Sequence, residues 1–203
     1  DLHKEYRRQR QMCIRDRVNY FKQLWRTLLL MTLMTCASKV IHAQELQAVK
    51  SINQIEITRY MGTWYEIAKL PNWFQRKCVR NTKATYRLIS PQQIEVLNQC
   101  VTAEDERIQA IGMARPRANG LPAQLEVRFA PSWLGWLPFT WGDYWVLDLD
   151  SDYQVAAVGD PSRSYLWILS RSPQMSPSAY AALTQRLALM GFDIRRLEKT
   201  TQN

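Results

Sequence analysis

Short stretches in which apolar and polar residues alternate fill positions 62–171 of the chain, and turn residues separate them. In one stretch Leu125, Val127 and Phe129 alternate with polar side chains, which is the period of a half-buried β-strand. The pattern predicts eight strands, near 62–70, 82–89, 93–100, 107–113, 123–130, 143–149, 154–159 and 164–171.

A helical period follows the last predicted strand. Ser176 is a typical N-cap, and Pro177 fits the first position of a helix. Gly191 is a typical C-terminal stop, and the chain beyond it predicts a short edge strand near 193–197. Because the apolar side chains form a single stripe, we expect the helix to lie against the outside of the sheet. That stripe consists of Tyr180, Leu183, Leu187 and Met190.

Eight consecutive strands without long crossovers predict an all-β fold, an up-and-down antiparallel barrel with one C-terminal helix packed outside. A sandwich of two sheets is the alternative. A closed barrel of eight strands leaves an interior just wide enough for one small ligand. Side chains that strand alternation turns towards this interior are candidate ligand contacts, although each of them fits an ordinary core role equally well. These candidates are Glu66, Tyr86, Val96, Asn98, Val127, Phe129, Tyr144 and Trp167.

The basic charge of the chain is concentrated near its N-terminus. The formal net charge is +9, and residues 1–43 carry nine basic and three acidic side chains, which is +6. The remaining 160 residues carry 18 basic and 15 acidic side chains, which is only +3. Since most of the excess lies in a segment that we expect to be removed, the composition argues against a nucleic-acid partner.

The first 43 residues divide into two segments that we exclude from the folded domain. Residues 1–17 lack an initiator Met and contain the string MCIRDR, which resembles translated sequencing adaptor, so we expect a non-native extension. Residues 18–43 are typical of a secretion signal, with positive charges ahead of an 11-residue apolar stretch and a small residue, Ala43, at the cleavage position. The apolar stretch is too short to span a bilayer, which needs about 20 residues.

We therefore predict export to the periplasm or the outer membrane, with cleavage after Ala43 releasing a mature domain of residues 44–203. Lipoprotein processing at Cys36 is the alternative, and it is disfavoured because Thr35 stands where Gly, Ala or Ser is usual. Two acyl chains on Cys36 would tether the protein to a membrane.

Two cysteines, Cys78 and Cys100, remain after Ala43, and an even pair in an oxidising compartment predicts a disulfide. Their midpoint lies close to the predicted turn at 90–92, so a hairpin of the second and third strands brings them nearly opposite each other. No histidine follows His42 in the sequence. That absence excludes histidine triads, histidine metal sites and imidazole acid–base catalysis in the mature protein, and we predict no metal, cofactor or catalytic residue.

Three segments carry a family resemblance. The first, 60–68 (YMGTWYEIA), contains the Gly-x-Trp signature that opens the first strand of lipocalins. The second centres on the pair Asp143 and Tyr144, and the third, 164–171, ends in Arg as the third lipocalin motif does. Because all three occur in order, the chain resembles the lipocalin family over 53–197, bacterial outer-membrane lipocalins most of all, with plant temperature-induced lipocalins and apolipoprotein D as relatives.

The resemblance implies structural roles for residues at the closed end of the barrel. Trp64 is expected to plug that end, and Gly62 to permit the tight backbone path into the first strand. Arg171 is expected to stack its guanidinium group on the Trp64 indole, a contact worth about 0.5–2 kcal/mol. Asp143 and Tyr144 belong to the structural motifs as well.

The resemblance also implies a function. The protein is expected to bind a hydrophobic ligand, a fatty acid or a lysophospholipid, and to carry or store it in a barrel pocket at the bacterial cell envelope. Two other functions stay open. One is an enzyme on the same barrel that acts on a lipid or carotenoid through carboxylates such as Glu66. The other is an envelope interaction protein with an incidental pocket.

Two loops at the expected open end are rich in aromatic residues. One interpretation is that they fold down as a lid or core. A second is a rim that docks on a membrane, because aromatic side chains settle at the interface and basic ones attract anionic headgroups. Burial in a homodimer is the third. The rim candidates are Trp73 and Phe74, beside Arg76, Lys77 and Arg80, and Trp133, Trp136 and Phe139.

Overall fold

The protein is built of β-strands whose side chains alternate between the two faces of the sheet. The computed structural model describes residues 48–129 and 141–203. Within these ranges eight strands precede the C-terminal helix. They are β1 (Gly62–Lys69), β2 (Arg80–Ser90), β3 (Gln93–Val101), β4 (Arg107–Pro116), β5 (Gln124–Arg128), β6 (Gly142–Leu149), β7 (Val155–Gly159) and β8 (Leu166–Ser170).

The strands close on themselves. Each strand pairs antiparallel with the next along the chain, and β1 pairs with both β8 and β2. The predicted up-and-down barrel is therefore confirmed, and the two-sheet sandwich is excluded.

Part of the sequence-based prediction falls outside the described residues and stays a prediction. It comprises the extension 1–17, the signal segment 18–43, lipidation at Cys36, and the aromatic residues Trp133, Trp136 and Phe139.

Two α-helices flank the barrel strands in the described ranges, α1 (Ile57–Tyr60) before β1 and α2 (Pro177–Leu189) after β8. The hydroxyl of Ser176 caps α2 by accepting a hydrogen bond from the backbone nitrogen of Ala179 at 3.2 Å. Leu183 and Leu187 of α2 are buried against outward-facing side chains of the barrel, so the helix lies outside it as predicted. No helix within the described ranges is long and apolar enough to cross a membrane.

The prediction of an edge strand at 193–197 is wrong. Ile194–Arg196 forms a 3-10 helix instead, and the edge strand is β9 (Glu198–Lys199), only two residues long. The cause is Phe192, which is buried in the apolar cluster beneath α2 and turns the chain before it reaches β1.

Two apolar clusters stabilise the structure, one inside the barrel and one between α2 and the outer face of the sheet. A β-bulge between Glu66 and Ala68 divides β1 between the two clusters. Trp64 packs in the interior cluster, whereas Ala68 packs in the cluster beneath α2. The bulge therefore lets one strand contribute to both cores.

The seam between β1 and β2 is closed only part of the way by backbone pairing. The two strands pair over residues 62–65, and beyond that point β9 pairs with β1 instead. The side-chain amide of Gln202 donates hydrogen bonds to the backbone oxygens of Glu66 and Thr82, each at 2.8 Å. The C-terminal residues thus complete the seam with backbone contacts to β1 and to the start of β2 and with the side chain of Gln202.

Candidate functional site

One end of the barrel is closed by Trp64, which is fully buried, and by Arg171, whose guanidinium carbon lies 4.0 Å from the centre of the indole ring. Gly62 lies beside them with a φ of +94°, and a Cβ there would lie 3.2 Å from Nη1 of Arg171. The guanidinium group also donates to five backbone oxygens at 2.7 to 3.3 Å, those of Arg59, Tyr60, Met61, Thr63 and Tyr153. The end of β8 is therefore tied to the turn that leads into β1.

The side chains proposed as ligand contacts lie on the inner wall of the barrel. Tyr86, Val96 and Tyr144 belong to the buried interior cluster, and Val127 and Trp167 pack against it. The remaining three, Glu66, Asn98 and Phe129, share the inward face of their strands with these neighbours.

On β4 and β5 the exposure of the inward side chains rises from the closed end towards the other end of the barrel. On β4 Ala114 and Gly112 are buried, whereas Ala110 and Ile108 are exposed. Along β5 and just beyond it Leu125 is buried, Val127 is partly exposed, and Phe129 is 44% exposed. Solvent therefore reaches the inner wall from the end opposite Trp64.

Three tyrosine hydroxyl groups meet inside the barrel. Oη of Tyr144 on β6 lies 2.8 Å from Oη of Tyr60 and 2.8 Å from Oη of Tyr86 on β2. All three side chains are buried, and the contact joins two opposite walls to the residue that ends α1. Asp143, the neighbour of Tyr144, points the other way and accepts a hydrogen bond from Arg117.

The environment of the three hydroxyl groups disfavours negative charge. Burial raises the pKa of Tyr86 to about 12, and it raises the pKa values of Tyr60 and Tyr144 well above the usual 10.0. The positive charge of Arg171 acts in the opposite direction on Tyr60 and Tyr86, but burial outweighs it. The hydroxyl groups therefore stay protonated at neutral pH.

A second polar cluster involves Gln75, in the loop between β1 and β2. Its Nε2 donates to the carboxylate of Glu66 at 2.8 Å, and its Oε1 accepts a hydrogen bond from Nε1 of Trp167 at 2.8 Å. The other carboxylate oxygen of Glu66 accepts from Oγ1 of Thr200 at 2.5 Å. The cluster therefore joins this loop to β1, β8 and the C-terminal residues.

The carboxyl group of Glu66 is the buried titratable group of this cluster. Burial raises its pKa above the usual 4.5, although the hydrogen bonds from Thr200 and Gln75 and the nearby charge of Lys69 oppose that rise. Lys69 itself pairs with Glu198 at 2.7 Å. Among residues 48–129 and 141–203, no three acidic, cysteine or histidine side chains are placed to hold a metal ion.

The loop between β1 and β2 exposes aromatic and basic side chains to solvent. Trp73 is 70% exposed and Phe74 is 50% exposed, and their rings meet edge to face with 5.6 Å between centres. Phe74 also lies 5.7 Å from the ring of Tyr165, in the loop before β8. Arg76 and Lys77 follow and are exposed. The patch is thus anchored on its inner side and free on its outer side.

Two links fasten the end of this loop and the start of β2 to the end of β3 and the loop that follows it. The predicted disulfide joins Cys78 to Cys100, whose Cα atoms are 5.5 Å apart. Arg80 forms an ion pair with Asp105, so part of the positive charge that we assigned to the rim is offset. The C-terminal end of the loop is therefore held in place.

The barrel domain matches the family model described as a lipocalin-like domain over residues 55–202. The chain belongs to the lipocalin family. It is 42% identical over 161 residues to temperature-induced lipocalin-1 of Arabidopsis thaliana, with 79% of this chain and 84% of that protein covered. It is 33% identical over 150 residues to the outer membrane lipoprotein Blc of Escherichia coli (strain K12), with 74% and 81% covered. It is 30% identical over 154 residues to apolipoprotein D of Mus musculus, with 72% and 77% covered. The predicted family is confirmed.

Solved structures share the fold of this lipocalin at low sequence identity. Apocrustacyanin C1 superposes with a TM-score of 0.58 at 17% identity, over 73% of this chain and 80% of that one. Insecticyanin from the tobacco hornworm Manduca sexta gives 0.57 at 18% identity, over 75% and 83%. Lipocalins generally bind hydrophobic ligands and act as carriers rather than enzymes, so the interior of this lipocalin is the natural place to look for a ligand site.

Several residues of the site in this lipocalin escape sequence reasoning. Tyr60 stands in the first motif, but its position outside the strand pattern gives no sign that it faces the interior. Gln75 and Thr200 lie in irregular segments, where no periodicity shows which way a side chain points. The only sequence feature that points to Gln75 is its position as a polar residue directly after Trp73 and Phe74.

Proposed function

We propose that this lipocalin binds a fatty acid or a lysophospholipid inside its barrel and carries or stores it at the bacterial cell envelope. The observation that carries this proposal is the exposure gradient of the inner wall along β5, from buried Leu125 through partly exposed Val127 to exposed Phe129. An apolar chain covered by such a wall leaves water, while a charged headgroup remains at the solvated end.

The energetics of lipid transfer favour a carrier that works next to a membrane. An acyl chain of about 14 methylene groups gains roughly 11 kcal/mol on leaving water, at about 0.8 kcal/mol for each group. Association costs of about 4–15 kcal/mol offset much of that gain. A lipid that already lies in a bilayer gains almost nothing by entering the barrel, so loading requires contact with the membrane.

Trp73 and Phe74 are the described residues best suited to that contact. They are exposed aromatic side chains, and Arg76 and Lys77 beside them attract anionic headgroups. The rim that we propose also includes three aromatic residues that lie outside the described part of the chain, Trp133, Trp136 and Phe139.

A carrier suits the state of Glu66 better than an enzyme does. Both carboxylate oxygens of Glu66 accept hydrogen bonds, one from Gln75 and one from Thr200. A general base needs an oxygen within reach of the substrate proton. Glu66 therefore supports a structural role, and we propose no catalytic residue.

An envelope location is supported by the bacterial relatives, which are named outer membrane lipoproteins. We propose cleavage after Ala43, and the mass of the N-terminal peptide of protein from its native host tests this. A peptide that starts at Gln44 is the expected result. A peptide that starts at a lipidated Cys36 would contradict it and show anchoring.

The ligand site is tested by filling it. Val127→Trp places a large ring on the inner wall, and the matched control Ile111→Trp places the same ring on the exposed outer face of β4. Titration with a fluorescent fatty acid should show at least tenfold weaker binding for Val127→Trp and unchanged binding for the control. Equal binding by both variants would rule out the barrel interior as the site, and native mass spectrometry of the host protein identifies the retained lipid.

The membrane contact is tested on vesicles that contain anionic phosphatidylglycerol. The double variant Trp73→Ser/Phe74→Ser should lose vesicle binding and lipid uptake, whereas Leu189→Ser, which removes an exposed apolar side chain from α2, should keep both. Unchanged vesicle binding by the double variant would contradict the proposed rim. A change in oligomeric state instead would assign the two residues to a dimer interface.

A further inference from the structure

The three tyrosine hydroxyl groups inside the barrel have one more proton than they have hydrogen bonds to each other. Oη of Tyr144 lies 2.8 Å from Oη of Tyr60 and from Oη of Tyr86, which gives two hydrogen bonds for three protons. None of the three has another hydrogen-bond partner among residues 48–129 and 141–203. Whichever way the two bonds run, one O–H group is left to donate.

That remaining donor lies in apolar surroundings, where an unused hydrogen bond destabilises the protein. Tyr60 is inaccessible, but Tyr86 and Tyr144 retain 6% and 9% of their accessible surface. Because all three side chains belong to the interior cluster, an acceptor within reach of the remaining O–H group lies inside the barrel. Apolar side chains surround the three rings, among them Ile94, Val96, Leu125 and Val146.

The acceptor that fits this place is uncharged. Burial already raises the pKa of each hydroxyl group, so a negative charge on the tyrosines themselves is disfavoured even though Arg171 is near. A carboxylate or phosphate would meet the same loss of hydration. A hydroxyl or carbonyl oxygen accepts the proton and is far less costly to dehydrate.

The inner wall offers a second polar group on the way to the tyrosines. Asn98 lies two residues from Val96 on the inward face of β3 and is partly exposed. Its side-chain amide has no hydrogen bond to any residue in the described part of the chain. Its strand partners, Ala84 on β2 and Ala110 on β4, both have small side chains.

We propose that the tyrosine triad, Tyr60, Tyr86 and Tyr144, binds an uncharged oxygen at the inserted end of the ligand. The barrel then favours lipids that carry a hydroxyl or carbonyl group at that end. This inference rests on the proposed function, because it takes the barrel interior as the ligand site. The charged headgroup of the same lipid stays at the solvated end, where Arg76 and Lys77 are exposed.

Two ligands that differ only at the inserted end test the proposal at pH 8, hexadecanoic acid and 16-hydroxyhexadecanoic acid. The triple variant Tyr60→Phe/Tyr86→Phe/Tyr144→Phe removes every hydroxyl of the triad, so no polar partner is left behind. Relative to hexadecanoic acid, the hydroxy acid should bind this variant about five- to tenfold more weakly than it binds the wild type. The control Tyr180→Phe, on the outer helix, should leave the ratio of the two affinities unchanged.

An unchanged ratio in the triple variant would overturn the proposal, since the triad would then serve structure alone. If neither acid binds the wild-type protein, the proposed function is wrong, and the role proposed for the triad, which rests on it, is wrong as well. If the triple variant does not fold, a measurement on the wild-type protein tests the proposal instead. The Cζ resonances of ¹³C-labelled buried tyrosines should shift with the hydroxy acid and not with hexadecanoic acid, and identical spectra with both ligands would also overturn the proposal.

Discussion

The Trp64 indole and the Arg171 guanidinium group stack 4.0 Å apart across the closed end of the barrel, and both donate to the backbone oxygen of Tyr60. The two donor distances are 2.9 Å from Trp64 and 3.1 Å from Arg171. Since the Tyr60 hydroxyl belongs to the tyrosine triad, the same pair fixes the floor of the barrel and positions the triad. The structural motif and the proposed ligand site therefore meet at one residue.

Arg171→Ala should destabilise the domain. The substitution removes the stacking contact, worth about 0.5–2 kcal/mol, and leaves several backbone oxygens without a donor. We expect a loss of about 2–4 kcal/mol in the free energy of unfolding, which is a fall of roughly 5–12 °C in Tm for a domain of this size. The control Arg195→Ala removes an exposed arginine that pairs locally with Asp193 and should change stability by no more than about 0.5 kcal/mol. Equal Tm values for the two variants would contradict this role.

The Cys78–Cys100 disulfide should stabilise the domain through the unfolded state. It closes a loop of 22 residues, for which the loss of chain entropy corresponds to about 3 kcal/mol. The double variant Cys78→Ala/Cys100→Ala should therefore have a free energy of unfolding that is lower by that amount, measured by denaturant titration. Wild-type protein in reductant should unfold like the double variant, which itself should not respond to reductant. A difference below about 1 kcal/mol would show that the disulfide contributes little.

Glu66→Gln should flatten the pH dependence of stability. Burial raises the pKa of Glu66 in the folded protein above 4.5, so the unfolded chain releases this proton first. The stability contributed by the protonated group is fully present below pH 4.5 and is lost as pH rises through the folded pKa. A glutamine does not titrate. It keeps both hydrogen bonds, because its oxygen accepts from Gln75 and its nitrogen donates to Thr200.

The measurement is the free energy of unfolding of wild type and Glu66→Gln at pH values from 4 to 8. Relative to the wild type, the variant should gain stability as the pH rises. Glu104→Gln, in the exposed loop between β3 and β4, is the control and should run parallel to the wild type. A constant difference between Glu66→Gln and wild type over this range would contradict the raised pKa.

The barrel itself follows from local patterns in the sequence. Alternation along stretches such as 123–130 reports which face of a strand is buried, and it does so wherever one face meets the core. The three motifs and the two cysteines lie inside or next to such strands, so the strand pattern also predicts their places in the fold. The boundaries differed by a few residues, as for β4, which runs to Pro116 instead of Met113.

The contacts at the two ends of the barrel do not follow from local patterns, because they depend on how the barrel closes. Trp167 and Gln75 are 92 positions apart, and Thr200 and Glu66 are 134 apart. Nothing in the segment around residue 75 or after residue 197 repeats with a strand or helix period. The buried Phe192, which shifts the edge strand, is likewise set by packing against α2 and not by its neighbours in sequence.

The side-chain amide of Gln202 bridges β1 and β2 where the two strands do not pair directly. Gln202→Ala leaves the backbone oxygens of Glu66 and Thr82 without this donor, and we expect a loss of about 1–3 kcal/mol. The local effect should be larger than the global one, because the opening is confined to the seam. Hydrogen exchange of the Asn81 amide, which donates to the Thr201 backbone oxygen, should therefore accelerate before that of amides in the β3–β4 pair. Thr201→Ala, an exposed side chain, is the control and should leave exchange at the seam unchanged; equal acceleration in both variants, or none in Gln202→Ala, would show that the C-terminal residues do not close the barrel.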